Sequence, residues 1–320
     1  MADRRRSRAC GPRCHSGRPV TTGPTYRHGI SDGSGSETVA VITIVSGRHR
    51  HLRRQLEAFE YSTVRPALHI VVAMNDLDIE AVVTAAAPTG HPARVIHISD
   101  EPGTLPLAEA RNTGARTAIE AGATLLVFLD VDCIPGPDMI ERYLRSSAAT
   151  PELRLLYCGP VTYLQHDQPT FDPRELRRFL DPHPARPAPG PCQTQLSSAM
   201  TLFWSLSFAI RSGDWLDVGG FHTGYRGYGG EDTDFAMCAA RNGFRIAWVG
   251  GADAYHQHHP VSSPPVEHLE DIIRNARTFY RRWGSWPMEG WLTAFAQMGL
   301  IRYDAAAEDW RRATTEALPG

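Results

Sequence analysis

From Thr38 onward the chain alternates short apolar runs with amphipathic stretches: TVAVITIVS, then HLRRQLEAFEYS, then ALHIVVAMND, then IEAVVTAAA, then ARVIHIS. Strands that are apolar along their whole length are buried on both faces, and helices between them imply a mostly parallel sheet flanked by helices, an α/β fold. The pattern continues through PLAEARNTGARTAIEA, predicted helical over 106–121, into the strand TLLVFLD. That strand is about the fourth. It ends in LDVDCIP, with Asp130 and Asp132 at a strand carboxyl end, where open α/β sheets bind ligands.

Beyond it the pattern predicts a helix over 137–147 and a strand within LRLLYCGPVTYL. The segment DPHPARPAPGP, Asp181 to Pro191, holds five prolines and reads as a surface loop with freedom to move. A second half follows with LFWSLSFAIRSGDWLDVGGF, the glycine-rich YRGYGGEDTDF, a helix through Arg241 and the strand FRIAWVG. Helical patterns return over 266–283 and 290–299, where Phe279, Trp283, Trp291 and Phe295 read as core and Trp286 as a residue able to stack on a sugar. Residues 1–36 are rich in Arg, Gly, Ser, Pro and Thr and poor in aliphatic side chains, so a disordered tail is expected there. The expected division is a tail over 1–36, an α/β domain over 37–260 and a helical extension over 261–320.

The 320 residues are 42% hydrophobic and 21% charged, enough for a sizeable core. The chain contains no lysine, and all 33 basic side chains are arginine. A Walker P-loop and Schiff-base chemistry both need a lysine and are excluded. The tail holds seven arginines against Asp3 and Asp32, which leaves the body mildly acidic and argues against a nucleic-acid partner. Six cysteines scattered along a chain without a secretory leader fit a reducing cytoplasm, and Cys10 and Cys14 have no second pair at zinc-site spacing. No apolar run reaches the ~20 residues that span a bilayer, so the expectation is a cytoplasmic protein with at most peripheral contact at the inner face of a membrane.

Alternate residues of an extended strand share a face, so Asp130 and Asp132 are expected to point together, and paired carboxylates repel unless a cation lies between them. One or two carboxylates with substrate phosphates is a common way to hold Mg²⁺ or Mn²⁺; two solvated turn acids is the plainer alternative. A phosphatase using an Asp-x-Asp nucleophile also needs a lysine, and an NAD-dependent oxidoreductase needs G-x-G-x-x-G where this chain has SGRHRH. In GYGGEDTDF, Glu231, Asp232 and Asp234 follow Gly227, Gly229 and Gly230. Acids in a first helical turn complement the helix dipole, but the glycines suggest close approach to a ligand or a hinge, and one of these acids is suited to act as a general base. In AYHQHHP, His256, His258 and His259 are candidate metal ligands, with His256 and His258 on one face if the strand continues.

Together FLDVDCIP and SLSFAIRSGDWLDVGGFHTGYRGYGGEDTDF resemble glycosyltransferases of the GT-A fold, similar to family 2 and, in the second half, to the beta-4-galactosyltransferases. The resemblance covers roughly residues 39–260. It implies an inverting, metal-dependent hexosyltransferase working on a nucleotide-diphosphate sugar, UDP-linked by resemblance, and a hydroxyl acceptor. A non-catalytic sugar-nucleotide or glycan-binding protein on the same fold is the alternative. Carried over by residue, Asp132 and His256 would bind a divalent cation, Mn²⁺ or Mg²⁺, and Asp130 would lie beside the donor ribose. Asp232 would be the base and Glu231 would bind the acceptor or hold the loop. Thr43, Ser46 and Arg48 would line the nucleotide, Arg111 and Asn112 the diphosphate, and Asn75 and Asp76 the base. Two departures stand out: Tyr228 where galactosyltransferases place tryptophan, and Asp253 where they place a metal-binding methionine.

Overall fold

The computed structural model describes residues 22–27, 37–86, 93–101, 103–260 and 262–313. Its main sheet has nine strands: β1 (Thr22–Arg27), β2 (Val39–Val45), β3 (Leu68–Met74), β4 (Ala93–Ile98), β5 (Leu125–Leu129), β7 (Leu155–Cys158), β9 (Gln193–Ser197), β10 (Ser207–Arg211) and β11 (Arg245–Val249). Their order is β1-β9-β11-β7-β10-β5-β2-β3-β4. β5, β2, β3 and β4 pair in parallel and β11 pairs in parallel with β7, while β10 and β9 run against their neighbours. The sheet is therefore mixed, and mostly parallel.

Every residue of β2 is buried, Thr43 included, and its alternate residues feed opposite layers. Ala40, Ile42 and Ile44 face one core, and Val39 and Val41 the other. Helix α3 (Leu107–Glu120) lies on the first layer through a face of small residues: Ala108, Ala110, Gly114, Ala115 and Ala118. Gly114 sets that spacing, because a Cβ there would stand 2.5 Å from Ile42 Cγ2. Helices α1 (His49–Ala58), α2 (Ile79–Ala86) and α4 (Met139–Ala149) cover the opposite face, and α6 (Ser212–Val218) and α7 (Glu231–Arg241) complete the α3 side.

A second sheet of three short strands, β6 (Cys133–Pro135), β12 (Ala254–His256) and β8 (Val161–Tyr163), stands at the carboxyl end of β5. Its register sets His256 opposite Cys133. The chain closes with α8 (Leu269–Trp283), α9 (Glu289–Gln297) and a hairpin of β13 (Ile301–Asp304) and β14 (Asp309–Arg312). A four-residue helix, α5 (Pro173–Leu176), precedes the proline-rich loop. Among the described residues no helix is long and apolar enough to cross a membrane.

Three expectations change. Thr22–Arg27, inside the stretch expected to be a tail, pairs antiparallel with β9 as an edge strand. Ladder bonds come from backbone, so composition alone missed it; the rest of that stretch, with Cys10 and Cys14, lies outside the described residues. The single strand expected in LRLLYCGPVTYL is two, β7 and β8, in different sheets, broken at Gly159 and Pro160. The proline-rich loop is seated rather than free: the buried Arg186 lies between Trp248 at 4.8 Å and Trp204 at 5.2 Å, and the backbone at Gly190 packs so closely on Gly250 that a Cβ there would meet it at 2.0 Å.

Candidate functional site

The carboxyl end of β5 turns sharply. Cys133 N–H donates to Asp130 O at 2.8 Å, so Asp130 to Cys133 is a turn, and the buried Gln55 amide clasps it by donating to Asp130 O at 2.8 Å and Cys133 O at 2.9 Å. The Gln55 oxygen in turn accepts from Thr43, whose hydroxyl also meets His69 at 3.0 Å. Thr43 is wholly buried and supports the turn from beneath. Gln55, a polar residue on the buried face of α1, is the contributor that sequence reasoning missed.

The turn separates the two aspartates, correcting the expectation of a shared face. Asp130 meets the buried Arg111 guanidinium at 3.1 Å, and Arg111 also faces Glu231 at 3.5 Å. Burial pushes the Asp130 carboxyl up to about 6, with Arg111 opposing and Asp132 adding to the shift. Burial likewise raises Glu231 to about 7, helped by the charge of Asp232. Arg111 is thus a buried counter-ion to these acids.

Asp132 turns the other way. His256 Nε2 lies 3.5 Å from its Oδ1, and His259 Nε2 lies 3.5 Å from its Oδ2. The three ligand atoms lie within 4.8 Å of one another, close enough for one cation. Burial opposes ionisation of Asp132, but the His259 hydrogen bond and the charges of His256 and Arg48 outweigh it and hold the carboxyl down at about 2. Burial lowers the His256 pKa, with the charge of Asp132 opposing the shift. Two imidazoles and one carboxylate suit a transition ion such as Mn²⁺ better than Mg²⁺, which favours oxygen. The strand ends at His256, so His258 does not share its face: the His258 ring packs edge-on to His166, while His259 returns to Asp132. Gln257 fixes this segment by donating its N–H to Asp132 O at 2.7 Å.

Glu231 and Asp232 open α7, after the turn through Gly229 and Gly230. Ser205 N–H donates to Asp232 Oδ2 at 3.0 Å, and Asp232 Oδ1 is buried without a hydrogen-bond partner, as is Glu231 Oε2. Asp234 is no mere dipole complement. It is buried and accepts from Tyr225 at 3.1 Å, Trp283 Nε1 at 2.7 Å and Arg282 at 2.6 Å, pinning α8 to α7. The nearby glycines serve the same junction, since a Cβ at Gly227 would meet Asp271 at 2.0 Å and one at Gly229 would meet Met288 at 2.8 Å. Tyr228, 40% exposed, stacks on His268 and Trp291. Trp286 is occupied by Tyr280, stacked at 4.4 Å.

The remaining candidates divide. Ser46 and Arg48 lie on the loop between β2 and α1, and Arg48 reaches Asp132 at 3.2 Å. Asp76 holds that loop, accepting from Gly47 N–H at 2.8 Å and meeting His49 at 2.8 Å. Asn75 accepts from Asp100 N–H and donates to Thr104 O, tying strand ends together. Asn112 engages the N–H and C=O of Phe221 at 2.8 Å each. The neighbouring Gly220 is required, because a Cβ would stand 2.7 Å from Asn112 Oδ1.

Residues 193–260, from β9 through α7 to the histidine segment, match the family described as the N-terminal domain of galactosyltransferase. The chain is 26% identical over 240 residues to a validoxylamine A glucosyltransferase of Streptomyces hygroscopicus subsp. limoneus, covering 68% of this chain and 52% of that protein. A second such enzyme, from Streptomyces hygroscopicus subsp. jinggangensis (strain 5008), is 29% identical over 172 residues, 47% of this chain and 40% of that one. The chain thus spans about half the length of the curated relatives it matches. Among solved structures, GalNAc-T7 with UDP, GalNAc and Mn²⁺ aligns with 76% of this chain and 50% of its own, at a TM-score of 0.49 and 13% identity. The chain is thus similar to glycosyltransferases both over residues 193–260, the segment bearing Asp232, His256 and His259, and over most of its length.

Proposed function

We propose that this protein transfers a sugar from a nucleotide-diphosphate donor to a hydroxyl acceptor, with metal dependence and with inversion at the anomeric carbon. The observation that carries the reading is the pairing of two unlike subsites at one strand end. Asp132, His256 and His259 converge on a point fit for a cation, and Asp232 keeps one carboxylate oxygen unengaged. A galactosyltransferase family match running through the second of these segments supports it.

In this reading Asp132, His256 and His259 would hold a cation, which would supply Lewis acidity to the leaving diphosphate. Asp232, steadied by Ser205 N–H, takes the acceptor hydroxyl proton on its unengaged oxygen. The acceptor oxygen bonds to the anomeric carbon as the bond from that carbon to the phosphate oxygen breaks, and its electron pair leaves on the nucleoside diphosphate. A single displacement inverts the centre and leaves no covalent glycosyl-enzyme. Arg111 restrains the repulsion among Asp130, Glu231 and Asp232 from below. The deciding experiment follows nucleoside diphosphate release from a panel of UDP-, GDP- and dTDP-sugars with Mn²⁺, Mg²⁺ or chelator, adding small glycosides as acceptors and reading the product anomer by NMR. Release that depends on Mn²⁺ and acceptor, with an inverted product, supports the reading; a retained configuration or metal-independent release contradicts it.

A further inference from the structure

Arg48 stands on the same carboxylate oxygen that the proposed cation would use. Its Nη1 donates to Asp132 Oδ2 at 3.2 Å and its Nη2 lies 3.5 Å from His259 Nδ1, while His259 Nε2 faces that same Oδ2 at 3.5 Å. The backbone beneath Arg48 is set: Gly47 and Arg48 both have left-handed φ, 58° and 50°, and Asp76 grips the loop through Gly47 N–H and His49. The Arg48 side chain is long and 36% exposed, so it can leave while the loop stays.

A guanidinium is never neutral in a protein and donates only. A divalent cation seated between Asp132 and His259 would therefore face a permanent positive charge at contact range, in a site where Asp132 is mostly shielded from water. One of the two must move. The planar fork of arginine matches phosphate oxygens, and under the proposed function the diphosphate of the donor arrives beside this cation.

We propose that Arg48 is an exchanging counter-cation, resting on Asp132 and His259 when no metal is bound and moving to the donor diphosphate when metal and nucleotide are both present. The inference rests on the transferase reading and adds a coupling to it. Arg48 weakens binding of metal alone and strengthens binding of nucleotide, so each ligand favours the other by the same factor. Metal free of donor is disfavoured, and the site assembles on the donor.

Titration calorimetry tests this without turnover, using Mn²⁺ alone, UDP alone, and each with the other at saturation. The variants are Arg48→Asn, because asparagine tolerates left-handed φ, Arg48→Gln as a second neutral replacement should the first fail to fold, and Arg48→Lys, which keeps the charge. In the wild type, UDP should tighten Mn²⁺ binding about tenfold or more. In the neutral variants Mn²⁺ alone should bind about tenfold tighter than in the wild type, UDP should bind more weakly, and the coupling should shrink. Arg48→Lys should behave closer to the wild type. If the wild type binds both ligands but a folded neutral variant binds Mn²⁺ alone no tighter, the exchange is overturned and the transferase reading stands. If the wild type binds neither Mn²⁺ nor UDP, both fall.

Discussion

Arg111 meets Asp130 at 3.1 Å and faces Glu231 at 3.5 Å, so one buried guanidinium ties the end of β5 to the first turn of α7. These segments lie a hundred residues apart in sequence and carry the two halves of the candidate site. Removing the cation would leave Asp130, Glu231 and Asp232 facing one another. Arg111→Met is expected to lower stability by about 3–5 kcal/mol, the usual cost of stranding a buried charge. Urea unfolding checks this, and a variant as stable as the wild type would contradict the bridging role.

Glu231 sets a pH dependence. Its folded pKa is raised, to about 7 from an ordinary 4.5, chiefly by burial. A raised carboxyl contributes stability that is full below its unfolded pKa and is lost as pH rises through the folded value. Between pH 5 and pH 8, on the order of the two values, the melting temperature of Glu231→Gln should therefore fall less steeply than that of the wild type. Parallel slopes would show that Glu231 is not titrating in this window.

Asp232→Asn keeps the shape of the side chain and an oxygen able to accept from Ser205 N–H, but it cannot take a proton. Transfer should slow by roughly 10²- to 10⁴-fold, the usual contribution of a general base, with UDP affinity preserved. Pre-steady-state transfer assays beside calorimetry separate the two. Loss of UDP binding in this variant would assign Asp232 to donor binding instead.

Asp234 anchors the C-terminal extension through Arg282, Trp283 and Tyr225. Asp234→Ala removes a buried partner from a charged and two neutral donors, and a loss of about 3–5 kcal/mol is expected. Hydrogen exchange should show faster exchange in residues 269–297. Protection unchanged there would mean that α8 is held by its apolar face alone.

Much of this architecture was legible because strand burial writes itself into sequence. The run that became β5 is apolar at every position and those that became β2 and β3 are so but for Thr43 and His69, a pattern that fits a sheet covered on both faces. The acidic strand end and the GGED segment drew notice for a related reason, since clustered glycines and acids stand out in so apolar a setting. What failed was direction. Alternation predicted Asp130 and Asp132 on one face, and His256 with His258, but both pairs fall where an extended strand ends: a turn after Leu129 and a loop after His256. Thr43 and Asn112 look like ligand contacts in sequence, yet their polar atoms are engaged by Gln55 and by the Phe221 backbone. Periodicity says which face a residue shares but not where a strand stops, nor which distant backbone needs a partner.

The central claim is that Asp132, His256 and His259 hold a divalent cation on which a nucleotide sugar binds. The most direct measurement is the melting temperature of the wild type and Asp132→Ala with a panel of sugar nucleotides, each with Mn²⁺, Mg²⁺ or chelator. Ligand at a hundredfold excess over its dissociation constant stabilises the native state by about 2.7 kcal/mol, a shift that is readily read. The account predicts a rise with one class of sugar nucleotide in Mn²⁺, a smaller rise in Mg²⁺, none in chelator and none in Asp132→Ala. A well-folded wild type that shifts with no nucleotide sugar in any metal, or an Asp132→Ala variant that shifts as the wild type does, would contradict it.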